Sequence, residues 1–128
     1  MFVIQNRFDK YIMENALMAP LDRNPNYFTN NFVKWYGDMM VKSLSSKIQT
    51  KRGKRKGDGL FVSSCLEHAR NFCLNGGSIV NGKNITDMLP KWFLEDNRFI
   101  ASRYQEIDQC NHVKRTGLPC NTNCDCLH

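Results

Sequence analysis

The chain has no run of the roughly 18 apolar residues that a membrane-crossing helix needs, which excludes a helical membrane span by hydropathy. At Met1 a short strand-like run begins at once. No basic region precedes it and no cleavage signature follows, so a secretory signal is not expected there. No Cys-x2-Cys pair occurs, which sets aside the standard zinc finger, ribbon and knuckle. Internal repeats and low-complexity tracts are also missing, so a solenoid or a biased linker is not indicated. Acids are absent from residues 47–56.

That last absence locates the charge. Lys47, Lys51, Arg52, Lys54, Arg55 and Lys56 place six bases in ten residues, and the rest of the chain carries as many bases as acids. The net charge of +6 is therefore the charge of one connection. The run is read as a solvated loop rather than as a nucleic-acid or nuclear-localisation site, although its composition allows both. A length of 128 residues suggests one domain, and 41% apolar residues suffice for a core.

Six cysteines are many for a reducing compartment: Cys65, Cys73, Cys110, Cys120, Cys124 and Cys126. The last four lie among Pro, Gly and Asn, where few apolar side chains can pin the chain, so disulfides are the expected staple. Sequence does not choose their pairing. The sequon Asn84-Ile85-Thr86 agrees with a secretory route and makes Asn84 a glycosylation candidate.

Two apolar runs read as buried strands, residues 2–6 and residues 59–64. A short helix is expected at about 10–18. A long one follows, with Phe32, Trp35, Tyr36, Met39, Met40, Leu44 and Ile48 as its apolar stripe and Thr29 or Asn30 as its cap. The stripe reads as core packing. Asn75-Gly76-Gly77 marks a turn. Another helix is expected over 85–97, with Met88, Leu89, Trp92 and Phe93 on one side and Pro90 near its first turn. Residues 98–108 read as a helical continuation through Phe99, Ile100, Tyr104 and Ile107. Two buried strands separated by a long helix suggest a βαβ crossover in a parallel sheet.

Asp9 follows the first strand and His68 follows the second. An acid past one strand and a histidine past the next, in that order, is how the α/β-hydrolase scaffold presents two members of a Ser…Asp…His triad. The acid would orient the imidazole, and the imidazole would move the proton. Taken singly, Asp9 is also an ordinary turn aspartate and His68 a surface histidine. No Gly-x-Ser-x-Gly occurs in the chain. Ser78, after Gly76-Gly77, lacks the second glycine and follows the histidine, against the scaffold's order. A Cys65–His68 thiol pair is set aside because both would sit on one short loop. Cys110, His112, Cys120, Cys124, Cys126 and His128 could be written as zinc ligands, but their spacing favours disulfides. No metal and no cofactor is expected.

Four stretches carry a family likeness. They are Phe2-Val3-Ile4-Gln5-Asn6-Arg7-Phe8-Asp9, Ser64-Cys65-Leu66-Glu67-His68, Asn84-Ile85-Thr86-Asp87-Met88-Leu89-Pro90-Lys91-Trp92-Phe93, and Leu118-Pro119-Cys120-Asn121-Thr122-Asn123-Cys124. Together, and in this order, they resemble the pectin acetylesterase and Notum carboxylesterase family. The resemblance implies that Asp9 and His68 are the acid and base of a serine esterase. It also implies that the nucleophile and the oxyanion glycines belong to a segment preceding Asp9. Cys126 and the basic connection depart from the family pattern.

The expected fold is α/β: the carboxy-terminal part of an α/β-hydrolase-like parallel sheet, two core strands with flanking helices and a disulfide-rich tail. Residues 1–108 would belong to the catalytic domain and residues 109–128 would be its cysteine-rich tail. The implied protein is secreted and removes acetyl groups from polysaccharide or a fatty acyl group from a protein. Neither membrane nor nucleic acid is expected as a partner. The competing readings are a small disulfide-bonded module that docks its basic loop on a polyanion, and a pseudoenzyme of the same family.

Overall fold

Phe2–Asn6 form β1, which pairs in parallel with β2, Gly59–Ser63, in the register Phe2↔Gly59 through Asn6↔Ser63. This is the arrangement expected for two apolar runs separated by a long helical crossover. A computed structural model describes residues 1–19, 21, 27–48, 58–66, 78–94, 104–111 and 120–121. Between β1 and β2 lie a short π-helical turn, Ile12–Ala16, and the helix α1, Tyr27–Lys47. Ile79–Val80 (β3) and Lys83–Asn84 (β4) make an antiparallel hairpin, followed by α2, Ile85–Leu94, and by β5, Gln105–Ile107.

β5 corrects the end of the expected helical continuation over 98–108, of which residues 98–103 lie outside the described residues. Gln105, Glu106 and Ile107 lie parallel to Leu60, Phe61 and Val62, giving a sheet of order β1-β2-β5 with three strands rather than two. Helical spacing is a local signal, and over Gln105–Ile107 cross-strand pairing overrides it. The central strand β2 is buried at every position, as a parallel strand covered on both faces should be.

The hairpin turns through Asn81 (φ 52°) and Gly82 (φ 74°). Both residues occupy the left-handed region, which an Asn-Gly pair tolerates and which matches the twist of the flanking strands. The expected turn at Asn75-Gly76-Gly77 lies outside the described residues.

Two apolar clusters hold these elements. Phe61 of β2 packs with Val80 of the hairpin and with Ile85 and Met88 of α2. Phe2 and Trp92 close its border edge-on, their ring centroids 5.3 Å apart. Phe93 is 74% exposed, so it leaves the face assigned to it, whereas Met88 and Leu89 keep that face and Ile85 joins them. Pro90 sits in the second turn of α2 rather than the first.

The other cluster joins Phe8 and Met13, on either side of Asp9, to Val33 and Tyr36 of α1. α1 spans Tyr27–Lys47, so Thr29 and Asn30 lie within it rather than before its first turn. Its buried stripe is also rotated from the expected one. Val33, Tyr36 and Gly37 face inward, while Trp35 and Met39 are exposed. Gly37 explains the rotation. A Cβ there would lie 2.5 Å from Phe8 Cε1 and 3.0 Å from Arg7 Cγ, so only glycine lets the helix come this close to the turn after β1.

Candidate active site

The carboxyl ends of the three parallel strands are tied into one edge by polar side chains that the sequence places there. Ser63 Oγ donates to Asn6 Oδ1 at 2.5 Å, joining the last residues of β1 and β2. Arg7 N donates to Ser63 O at 2.7 Å, and Asp108 N, just past β5, donates to Val62 O at 2.9 Å. Asp9 and Asp108 therefore stand beyond the ends of the two strands that flank β2.

Asp9 is buried, with 2% of its surface exposed. Its Oδ2 accepts from Gln5 Nε2 at 2.9 Å, and its Oδ1 accepts from the backbone N–H of Ile12 at 3.1 Å. One carboxylate oxygen thus caps the first turn after the strand, which is the ordinary role of such a residue. The helical turn that follows is a π-type turn, closed by the N–H of Leu17 on the Ile12 carbonyl at 3.0 Å. Single π turns occur often at functional sites.

Arg7 braces the edge from below. Its side chain is 8% exposed. Nη1 donates to the carbonyl of Asp108 at 3.0 Å and to that of Cys110 at 3.5 Å, and Nη2 donates to Asp38 Oδ1 of α1 at 2.5 Å. Burial pushes the Asp38 carboxyl up, but hydrogen bonds from Lys34 and Arg7 outweigh it and hold the group below the usual carboxylate range. Asp108 accepts from the N–H groups of Ser64 at 3.3 Å and Cys110 at 3.0 Å, and from Asn121 Nδ2. These bonds commit Asp108 to holding the tail. Ser64 Oγ, in turn, donates to the Cys110 carbonyl.

The tail is fastened by a disulfide between Cys110 and Cys120, Cα atoms 5.7 Å apart. Cys65 is disulfide-bonded too, and its Sγ lies 3.3 Å from Ser78 Oγ in the interior. Ser78 is 3% exposed. Cys73, Cys124, Cys126, His112 and His128 lie outside the described residues, and so do His68 and most of the basic run 47–56. Among the described residues no group of three or more metal-ligating side chains converges.

Tyr36 is the member of this site that sequence reading assigned to packing alone. Its residue is 7% exposed, and its Oη has no hydrogen-bond partner among the described residues. Burial, and after it the negative charge of Asp9, push the phenol from 10.0 up to about 12. The folded chain therefore holds this proton more tightly than the unfolded chain does. The stability that follows is complete below pH 10 and is lost as pH rises from 10 to about 12. Tyr36→Phe should remove that part of the alkaline loss while leaving stability near pH 7 almost unchanged, because no hydrogen bond is broken. Denaturant midpoints across that range, alongside phenolate absorbance, provide the check. An alkaline profile identical in both proteins would show that Tyr36 contributes nothing to it.

Arg7 and Asp108 were equally invisible in the sequence, since an arginine or an aspartate past a strand carries no signal of what it will meet 101 positions away, and Asp38 read only as a charge on the outer side of α1. Comparison with protein families, with curated proteins and with solved structures finds no match to this chain.

Proposed function

We propose that this chain is the carboxy-terminal part of a secreted serine carboxylesterase of α/β-hydrolase type, with His68 as the general base and Asp9 as the acid that orients it. One observation carries the reading. The buried carboxylate of Asp9 stands at the carboxyl end of β1, parallel and adjacent to β2, on whose sequence continuation His68 lies. Leu66 packs against the cluster that contains Phe8, next to Asp9. Leu66 precedes His68 by two positions in the sequence, and His68 itself lies outside the described residues.

In this mechanism a serine from outside these residues attacks the ester carbonyl. His68 takes its proton and returns it to the departing alkoxide, and the Asp9 carboxylate fixes the imidazole tautomer and stabilises the imidazolium. The substrates would be acetylated polysaccharide or a fatty-acylated protein.

The pairing can be tested on the chain as it stands. Nitrogen-15 spectra should show His68 protonated at Nδ1, with a strongly deshielded proton that disappears in Asp9→Asn. Ring resonances of His68 that are the same in both proteins would refute the pairing. A serine-directed fluorophosphonate should leave the 128-residue chain unlabelled, because it has no Gly-x-Ser-x-Gly and no oxyanion donors ahead of Asp9. Labelling of the chain alone would place the nucleophile inside it and overturn this assignment of roles.

A further inference from the structure

The sequon Asn84-Ile85-Thr86 lies at a helix start, where an asparagine side chain is usually spent on capping. Asn84 is the residue before α2, and its Oδ1 accepts both the Thr86 backbone N–H and the Thr86 Oγ1 hydroxyl, each at 2.8 Å. Both bonds use the oxygen of the amide. The nitrogen Nδ2 donates to no described residue, and Asn84 lines an open cleft of about 440 Å³. Gly82, Lys83, Asp87, Lys91 and Tyr104 form the walls around it. Thr86 and Asp87 are exposed, so nothing described covers the approach to the amide.

We infer that Asn84 carries an N-linked oligosaccharide, and that one side chain does two jobs: Oδ1 caps α2 while Nδ2 bears the glycan. The donor would be a polyprenyl-pyrophosphate-linked oligosaccharide. The Nδ2–C1 bond to its first N-acetylglucosamine forms, the C1–oxygen bond to the pyrophosphate breaks, polyprenyl pyrophosphate departs, and the amide nitrogen gives up one proton. The primary amide becomes a secondary amide with its carbonyl oxygen intact, so both hydrogen bonds from Thr86 survive the modification. The first sugar would enter the cleft beside Lys91 and Tyr104. No residue of the Asp9 site lines this cleft, so the glycan and the acyl-transfer reading stand or fall separately.

The test is to express the chain behind a cleavable leader in a eukaryotic secretory host and to analyse protein recovered from the lumen or the medium. Intact mass should exceed the sequence mass by an N-glycan, and enzymatic deglycosylation in heavy-oxygen water should label position 84. Asn84→Asp should abolish the glycan yet keep the capped helix. Asn84→Ala should abolish both and melt a few degrees below Asn84→Asp, the size of shift a lost N-cap gives in a domain of this length. Recovered protein with an unmodified Asn84 would overturn the inference. So would Asn84→Asp and Asn84→Ala melting at the same temperature, because the oxygen would then have no capping role for the glycan to coexist with.

Discussion

In an enzyme completed by its serine-bearing segment, His68→Ala should lower turnover by about three orders of magnitude or more. Asp9→Asn should lower it by a similar or somewhat smaller factor. Asp9→Asn is the sharper probe, because Asn keeps an oxygen for the Ile12 N–H while losing the negative charge. Gln5, which donates to Oδ2, also lies 3.3 Å from the Asn6 carbonyl and can turn to suit the amide, so the fold should persist. What changes is the imidazole's tautomer and the stability of its protonated form. A steady-state assay on a small uncharged ester separates the two leading readings. Neutralising Lys51, Arg52, Lys54, Arg55 and Lys56 should leave that rate nearly unchanged. If His68→Ala is tolerated and the neutralised loop abolishes function, the chain is a polyanion-binding module instead.

Phe61→Ala should be the most damaging single truncation of the core, at about 3–5 kcal/mol. The ring is wholly buried in the middle of β2, and its buried neighbours come from two separate elements: Val80 from the hairpin, and Ile85 and Met88 from α2. Those elements are fixed by their own turn and cap, so they cannot close over the space the ring leaves. Phe61→Leu should lose less, because it keeps most of the volume. Denaturant unfolding of the three proteins measures the difference. A loss under about 1 kcal/mol for alanine would mean that β2 is not the strand on which the two sides of the sheet are built.

The strands β1 and β2 were legible because an apolar run in a covered parallel sheet is its own signal. The hairpin was legible in principle: Asn81-Gly82 between Val80 and Lys83 is a strong turn pair, but strands of two residues show no alternation to flank it. β5 was not legible. Its middle residue, Glu106, is 8% exposed, and its carboxylate is taken by Lys83 and by Asn81 at 2.9 Å. A buried acid in a three-residue strand looks like a surface helix until the hairpin that neutralises it is in place. The rotation of α1 had the same origin. Large side chains at 35 and 39 drew the eye, whereas the position that decides the packed face is Gly37, which has no side chain at all. At the candidate site, Asp9 was legible from its place after a strand. Its braces were not, since they depend on where distant carbonyls come to lie.

The brace at Arg7 bears on how the chain can be made. A ribosome delivers residues in order at about 5–20 per second. The carbonyls that receive this guanidinium belong to Asp108 and Cys110, separated from it by 101 and 103 positions. For about 5–20 seconds after residue 7 emerges, its guanidinium has no acceptor at that end of the sheet. The pairing of β1 with β2 must also wait for β2 to be synthesised. During that interval the edge of β1 that will meet β2 is unpaired, and an unpaired apolar edge is prone to joining a second copy of itself. Expression yield should therefore depend less on final stability than on how quickly Asp108 and Cys110 follow Arg7, and on what shields that edge of β1 until β2 arrives.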